Sequence, residues 1–215
     1  MQGDIMKYTH IIWDWNGTLL NDIGASLASV NDMLAMRGRE PIGIDYYREC
    51  IGVPIIRFYE KVFDLSDEDY SLIIKQYNNG YLHHLENCGL TVNAVEVLDY
   101  FAGKGVKQAI VSSSNNEQLH SNVKKYGIFD RFEAVLGASD YYAGSKIERA
   151  VEYLGKNEGC RVLVVGDLEH DAEMAAELGA DCVLLTSGHE NREKLYSANA
   201  RIISDLKELI SIAED

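Results

Sequence analysis

The chain has 215 residues, enough for one sizeable domain or for a core domain with a smaller insertion. Hydrophobic residues make up 47% of the sequence and charged residues 25%, so a full core can be buried. The formal net charge of −14 argues against nucleic acids and anionic membrane surfaces as partners. An anionic substrate would therefore need a bound cation or local hydrogen-bond donors.

Membrane, secretory and disulfide signals are absent from the sequence. No run of about 18 apolar residues occurs, so we expect no membrane span, and residues 1–10 carry no apolar signal segment. The cysteines show neither CxxC nor Cys/His spacing, which favours reduced thiols over disulfides or zinc sites. These cysteines are Cys50, Cys88, Cys160 and Cys182. We therefore expect a cytoplasmic protein.

The stretch IIWDWNGTLLND, residues 11–22, joins a predicted strand to a tight turn. An apolar run predicts a buried strand over residues 10–14. Asn16 and Gly17 favour a turn after it, because both tolerate positive φ. Asp14 is thereby placed at the carboxyl end of a strand, where open parallel α/β sheets bind ligands. An incidental aspartate at a strand–turn junction is the alternative.

The next part of the chain is predicted to be helical. Residues 25–38 repeat apolar side chains at three- and four-residue spacing, and residues 55–63 and 67–85 predict two more helices. No convincing strand pattern interrupts this segment. We therefore predict a helical insertion at residues 21–87, placed after the first strand of a domain built from residues 1–20 and 88–215.

Strands and helices alternate in the rest of the chain. Strands are predicted at residues 106–115, 132–139, 161–167 and 181–188, and helices at 92–105, 117–128, 146–155, 172–179 and 203–213. Such alternation implies right-handed βαβ crossovers and a parallel sheet covered on both faces. The predicted fold class is α/β, with a Rossmann-like three-layer αβα core and a helical cap.

Acidic residues gather at one edge of this predicted sheet. Asp14 ends the first strand, and Asp167 and Asp171 lie where a later strand gives way to a helix. Clustered carboxylates repel each other unless a cation binds, and hard oxygen ligands suit Mg²⁺. Asp171 could instead cap a helix that begins near residue 172.

A hydroxyl and a lysine are predicted at the same edge. Ser112 ends a strand, where its hydroxyl and the following backbone N–H groups could cradle an anion. Lys146 begins a helix, from which it could neutralise Asp14 and a bound phosphate. Each residue also has an ordinary interpretation, as a serine at a strand end and as an exposed lysine.

Taken in order, these motifs resemble the haloacid dehalogenase superfamily of aspartyl-phosphate enzymes, in its phosphoglycolate-phosphatase-like branch with a small helical cap. DWNGT at residues 14–18 matches the first motif of the family and IVSSSN at 110–115 the second. Lys146 matches the third motif, and VVGDLEHD at 164–171 matches the fourth. The resemblance extends over nearly the whole chain.

The resemblance implies a Mg²⁺-dependent phosphatase in which Asp14 is the nucleophile. The implied metal ligands are Asp14, the backbone carbonyl of Asn16, Asp167 and Asp171. The implied phosphate-binding groups are Gly17, Thr18, Ser112, Ser113 and Lys146. Substrates in this branch are small phosphorylated molecules, with phosphoglycolate as the family default, and the protein is expected to be a monomer or homodimer. Arg48 and Arg57 in the cap could contact a distal anion of the substrate.

Position 16 departs from the family pattern. Phosphatases of the family have a second aspartate there, which protonates the leaving group and then activates the hydrolytic water, whereas this chain has Asn16. An amide cannot transfer a proton at neutral pH, and losing a general acid or base costs about 10²–10⁴-fold in rate. We therefore expect either a phosphohydrolase that favours good leaving groups or a catalytically weak metal- and phosphate-binding protein.

A third chemistry has less support. DWNGT is also near the DWAGT-like motif of phosphonoacetaldehyde hydrolases, which cleave a C–P bond. Those enzymes need a cap lysine for a Schiff base, and this chain has Val-Pro-Ile at residues 53–55, with Lys61 further along.

Overall fold

The computed structural model describes residues 6–52, 54–66, 68–138, 146–155 and 159–214. A six-stranded parallel sheet forms the core within these ranges, in the strand order β5-β4-β1-β6-β7-β8. Its strands are β1 (His10–Trp13), β4 (Lys107–Asn115), β5 (Ala134–Ala138), β6 (Val162–Gly166), β7 (Asp181–Leu185) and β8 (Arg201–Ile203). The predicted α/β fold class is confirmed.

Helices cover this sheet and form the cap. The cap helices are α1 (Ile23–Met36), α2 (Ile44–Cys50), α3 (Ile56–Val62) and α4 (Tyr70–Leu85). The core helices are α5 (Ala94–Gly103), α6 (Asn116–Lys125), α7 (Lys146–Leu154), α8 (Glu169–Leu178), α9 (Arg192–Ser197) and α10 (Glu208–Glu214), with a 3₁₀ turn at Phe129–Arg131. Within the described ranges, no helix has both the length and the apolar character that a bilayer crossing requires.

The central strand β1 sets the position of the site. It pairs with β4 on one side and β6 on the other, and all four of its residues are buried because helices cover both faces of the sheet. Trp13 lies beside Val165 in this register, and the N–H of Asp14 donates to the Val165 carbonyl at 2.8 Å. Asp14 therefore leaves the sheet directly beside the end of β6.

The cap has its own apolar core. Its buried cluster is formed by Val30, Met33, Leu34, Tyr47, Cys50, Ile51, Phe58, Tyr59, Val62, Phe63 and Ile73. The two chain crossings between cap and core are held together by a short antiparallel pair, β2 (Leu20–Asn21) and β3 (Gly89–Leu90). The predicted boundary at 20/21 falls inside β2, the predicted boundary at 87/88 falls just before β3, and the division into two domains stays a prediction.

Several short elements were not predicted, namely α2, β2, β3, α9 and β8. Each has seven residues or fewer, too few for a clear periodic pattern. The predicted closing helix at 203–213 was wrong at its start, because Ile203 pairs in β8 and α10 begins only at Glu208. Helix α8 begins at Glu169 rather than 172. Residue 67 of one predicted helix and residue 139 of one predicted strand lie outside the described residues.

Candidate active site

Three carboxylates meet at the carboxyl edge of the sheet. Asp14 follows β1, Asp167 follows the adjacent strand β6, and Asp171 lies in the first turn of α8. One ligand oxygen from each can be chosen so that all lie within 4.8 Å of one another, and all three residues are buried. The parallel register of β1 and β6 is what brings the first two together.

Lys146 supplies the positive charge at this cluster. It is the first residue of α7 and only 6% exposed, and its Nζ donates to Asp14 Oδ1 and to Asp171 Oδ1, the latter at 2.6 Å. Burial alone would lower the pKa of Lys146, but the two carboxylates outweigh burial and raise it. The lysine therefore stays protonated and pairs with Asp14, while its contact with a bound phosphate stays a prediction.

Asp167 is held by two hydrogen bonds. The Thr18 hydroxyl donates to Oδ1 at 3.2 Å, and the backbone N–H of His189 donates to Oδ2 at 2.7 Å. Burial raises the pKa of Asp167 to about 8, Asp14 and Asp171 add to the rise, and the charge of His189 opposes it. Thr18, predicted to bind phosphate, thus contacts a carboxylate in this conformation.

The electrostatics of the cluster fit a divalent cation. Three buried carboxylates face the single ammonium of Lys146. Burial also raises the pKa of Asp14 to about 6, even though Lys146 lowers it. Such carboxylates are poorly compensated, and an all-oxygen donor set is the kind that Mg²⁺ prefers. The residues present therefore fit the predicted metal.

Both carboxylate oxygens of Asp171 accept hydrogen bonds. Its Oδ2 accepts hydrogen bonds from the N–H groups of Asp167 and Leu168, both at 3.1 Å, and so closes the start of α8. Its Oδ1 faces Lys146. Asp171 therefore closes the helix start from within the first turn of α8, not from before a helix that begins near residue 172, and its role as a metal ligand stays a prediction.

Glycines give the cluster the space that it needs. Gly17 has φ +73°, and a Cβ there would collide with the Asp167 carboxylate and the His189 ring. A Cβ on Gly188 would also collide with Asp167. A glycine is therefore required at position 17, because φ is positive and because a Cβ would have no room.

The second motif lies on β4, beside β1. Ser112 is buried, its hydroxyl accepts a hydrogen bond from the N–H of Ser114 at 3.1 Å, and Arg149 donates to its carbonyl at 2.9 Å. Ser113 is exposed. The roles of Ser112 and Ser113 in phosphate binding stay predictions, while Arg149 is an unpredicted support of this strand end.

Asn16 is enclosed by hydrogen bonds to neighbouring side chains. Its Nδ2 donates to Asp22 Oδ2 at 2.7 Å and to the Tyr81 hydroxyl at 2.8 Å. The Ser114 hydroxyl donates to its Oδ1 at 2.5 Å. Both amide hydrogens are therefore used by the protein itself.

The sequence reasoning gave no role to Asp22 and His189, which lie at the same site. His189 Nε2 donates to Asp22 Oδ1 at 3.2 Å, and its Nδ1 lies 3.0 Å from the Tyr47 hydroxyl. Burial opposes the charge on both groups, but their pairing raises the pKa of His189 to about 9 and helps lower that of Asp22. His189 follows β7, so the strand-end rule that found Asp14 could have found it too.

The two cap arginines take different positions. Arg48 on α2 donates to the backbone carbonyls of Ser187 (3.2 Å) and Gly188 (3.0 and 3.1 Å), which joins the cap to the core. Arg57 on α3 is exposed and lines a cleft of about 350 Å³ between the cap and the start of α8. Contact of either residue with a substrate stays a prediction.

The fold and the site together define a capped α/β enzyme with a buried, metal-compatible acidic centre. The family model described as "Haloacid dehalogenase-like hydrolase" matches residues 11–185. The chain belongs to this family, and the resemblance that the motifs carried is confirmed.

Known relatives carry phosphatase names. The chain is 24% identical over 215 residues to a phosphoglycolate phosphatase of Rhodobacter capsulatus, covering 95% of this chain and 96% of the relative. It is 22% identical to phosphoglycolate phosphatase 1 of Pseudomonas aeruginosa, covering 95% and 79%. Among solved structures, a haloacid dehalogenase-like hydrolase of Streptococcus pneumoniae superposes with a TM-score of 0.81 at 17% identity, covering 95% and 98%. The predicted hydrolase class is confirmed.

Proposed function

We propose that the chain is a Mg²⁺-dependent phosphohydrolase that acts on a small phosphate ester in the cytoplasm through an aspartyl-phosphate on Asp14. The observation that carries the proposal is the position of Asp14, paired with Lys146 and grouped with two further carboxylates at the sheet edge. The names of the relatives support a phosphate ester, with phosphoglycolate as the default substrate.

The residues divide the reaction into two displacements. Asp14 attacks phosphorus, the bond from phosphorus to the leaving oxygen breaks, and the phosphoryl group is transferred to the carboxylate. Water then attacks phosphorus, which releases inorganic phosphate and regenerates Asp14. Lys146 keeps Asp14 ionised and oriented before the attack, because its ammonium donates directly to that carboxylate. When bound, Mg²⁺ would supply positive charge against the carboxylates and the phosphoryl oxygens, held by Asp14, Asp167, Asp171 and the carbonyl of Asn16.

The leaving group has to depart with little help from position 16. Asn16 cannot give up a proton, and its amide hydrogens are already donated to Asp22 and Tyr81. Acyl, aryl or pyrophosphoryl leaving groups depart as weakly basic anions and do not need a proton. We therefore propose that such phosphates are turned over faster than ordinary alkyl phosphates.

Asn16 also supports a second candidate function. A metal- and phosphate-binding protein without useful turnover would keep Asp14, Lys146 and the acidic cluster while lacking a general acid. C–P bond cleavage has less support, because Lys61 is exposed on α3 and offers no buried Schiff-base amine.

Phosphate release from acetyl phosphate, p-nitrophenyl phosphate and phosphoglycolate tests the proposal. We expect turnover with MgCl₂ and none with EDTA, and a loss of at least about 10³-fold in Asp14→Asn. The protein should be fresh and checked by mass, because deamidated Asn16 would introduce a carboxylate. Saturable phosphate binding without hydrolysis of any of these compounds would instead select the second candidate.

A further inference from the structure

Asp22 lies at the junction of core and cap. It follows β2 and immediately precedes α1, yet its side chain makes no capping hydrogen bond to that helix. Its carboxylate is buried and turned back toward the nucleophile loop. Burying a charge is costly unless partners compensate it. The partners of this carboxylate must therefore come from outside its own helix.

The partners of this carboxylate come from three separate parts of the fold. Oδ1 accepts from the N–H of Gly17 at 2.8 Å and from His189, and Oδ2 accepts from Asn16 and from the Tyr81 hydroxyl at 2.7 Å. Gly17 and Asn16 belong to the nucleophile loop, Tyr81 to cap helix α4, and His189 to the loop after β7. One side chain thus ties the loop that carries Asp14 to the cap and to the far side of the site.

We propose that Asp22 is a positioning residue that fixes the amide of Asn16, links cap and nucleophile loop, and makes an amide the matching side chain at position 16. The kinetic part of this proposal rests on the proposed function, whereas the pairing of Asn16 with Asp22 does not. The physical reason is complementarity, since the amide donates to a carboxylate oxygen at 2.7 Å. A carboxylate at position 16 would put two like charges in that buried contact.

The Asn16–Asp22 pairing predicts what happens when the aspartate of the family pattern is restored at position 16. Asn16→Asp alone would place the new carboxylate against Asp22, and the pair could not keep its geometry. The exchange Asn16→Asp with Asp22→Asn keeps one charge and one amide in contact. Only the exchanged pair should therefore carry a well-placed carboxylate at position 16.

Thermal unfolding of four proteins tests the pairing without reference to activity. The proteins are the wild type, Asn16→Asp, Asp22→Asn and the exchanged double variant, measured with MgCl₂ and again with EDTA. We expect each single variant to lose at least about 6 °C in Tm and the double variant to recover most of that loss, because breaking one buried pair is costly and re-forming it is not. Asp32→Asn, on the exposed face of α1, is the matched control and should change Tm by less than about 2 °C.

Kinetics on two leaving groups test the positioning role. We compare kcat/KM, which reports the transfer to Asp14 and not the later hydrolysis that both substrates share. On phosphoglycolate we expect the double variant to exceed wild-type kcat/KM by about 10²-fold, the lower range for a restored general acid, and Asn16→Asp alone to gain less than about 10-fold. On acetyl phosphate the kcat/KM values of the double variant and the wild type should differ by less than about 10-fold. A variant that altered only the folding of the protein would change the rates on both substrates by a similar factor.

These results distinguish a failure of the proposed function from a failure of the Asn16–Asp22 pairing. If no protein hydrolyses any phosphate but the Tm cycle shows the recovery, the proposed function fails and the pairing stands. If Asn16→Asp alone is as stable as the wild type and as active as the double variant, Asp22 does not determine position 16 and the inference is overturned.

Discussion

At the scale of single residues, Lys146 controls the ionisation of the acidic cluster. Its ammonium donates to two carboxylates from different elements, Asp14 and Asp171, and it is almost fully buried. Among the described residues, no other lysine or arginine forms an ion pair with these two carboxylates. The ionisation of Asp14 therefore depends on this residue.

Replacing Lys146 by methionine should remove most turnover. Asp14 would lose the charge that opposes its burial, so its pKa would rise above the present value of about 6. We expect kcat/KM to fall by at least about 10²-fold at pH 7. Lys107→Met, which removes an exposed lysine that pairs with Glu133, is the control and should leave kcat/KM unchanged. Equal activity of Lys146→Met and wild type would contradict the role given to this lysine.

Gly17 allows a prediction with a control in the same chain. Gly17→Ala would force a side chain into a position with φ +73° and against Asp167, so we expect a loss of about 2–4 kcal/mol in the free energy of unfolding. Gly24→Ala, in α1 with open space around it, should be neutral or stabilise by about 0.5–1 kcal/mol. Urea unfolding measures both, and a neutral Gly17→Ala would show that the loop adapts freely.

At the scale of elements, the cap and core are joined by side chains as well as by the β2–β3 pair. Arg48 on α2 donates to carbonyls of the loop after β7, and Lys194 on α9 donates to the Ile51 carbonyl at 2.8 Å. Tyr47 and Tyr81 reach His189 and Asp22 from two different cap helices. The cap position and the site geometry are therefore connected.

The role of Arg48 can be decided by comparing two substrates. Arg48→Met should raise KM about equally for p-nitrophenyl phosphate and phosphoglycolate, because it would loosen the contact of cap and core for any substrate. If Arg48 instead binds a distal anion, only the KM for phosphoglycolate should rise. Arg57→Met, an exposed residue outside this contact, serves as the comparison and should leave the KM for p-nitrophenyl phosphate unchanged.

At the scale of the whole molecule, the acidic centre should link stability to pH and metal. The folded pKa values of Asp14, Asp167 and His189 are raised to about 6, 8 and 9. A group with a raised folded pKa stabilises fully below its unfolded pKa, and this contribution is lost as pH rises through the folded pKa. Ordinary carboxylates are ionised above pH 6, and the contribution of Asp14 is lost mainly below pH 6, so Asp167 and His189 dominate the window from pH 6 to 9.

Tm should therefore fall between pH 6 and pH 9 in EDTA. Mg²⁺ favours the ionised carboxylates, so the Tm increase that it causes should grow over the same window. Differential scanning calorimetry at matched ionic strength measures both trends. In Asp167→Asn the metal-dependent increase should be much smaller, and a pH-independent Mg²⁺ effect in wild type would contradict the assignment of the ligands.

The fold class and the residues of the candidate site could be predicted from the sequence alone. Asp14, Ser112, Lys146, Asp167 and Asp171 could be predicted because they belong to short local motifs at the ends of strands and helices. In a parallel sheet the carboxyl ends of all strands share one edge, so placing each residue on its element also places it near the others. Short apolar runs were enough to predict β1 and β6, and the alternation of strand and helix patterns placed the remaining elements.

The hydrogen bonds of the amide at position 16 could not be predicted from the sequence. Asp22, Tyr81 and His189 belong to the cap junction, a cap helix and a core loop, and Asp22 and His189 are 167 positions apart in sequence. Their contact depends on how the cap lies on the core, which no local pattern encodes. The same reason explains the missed β2, β3 and β8, since strands of two or three residues exist only because a partner lies beside them.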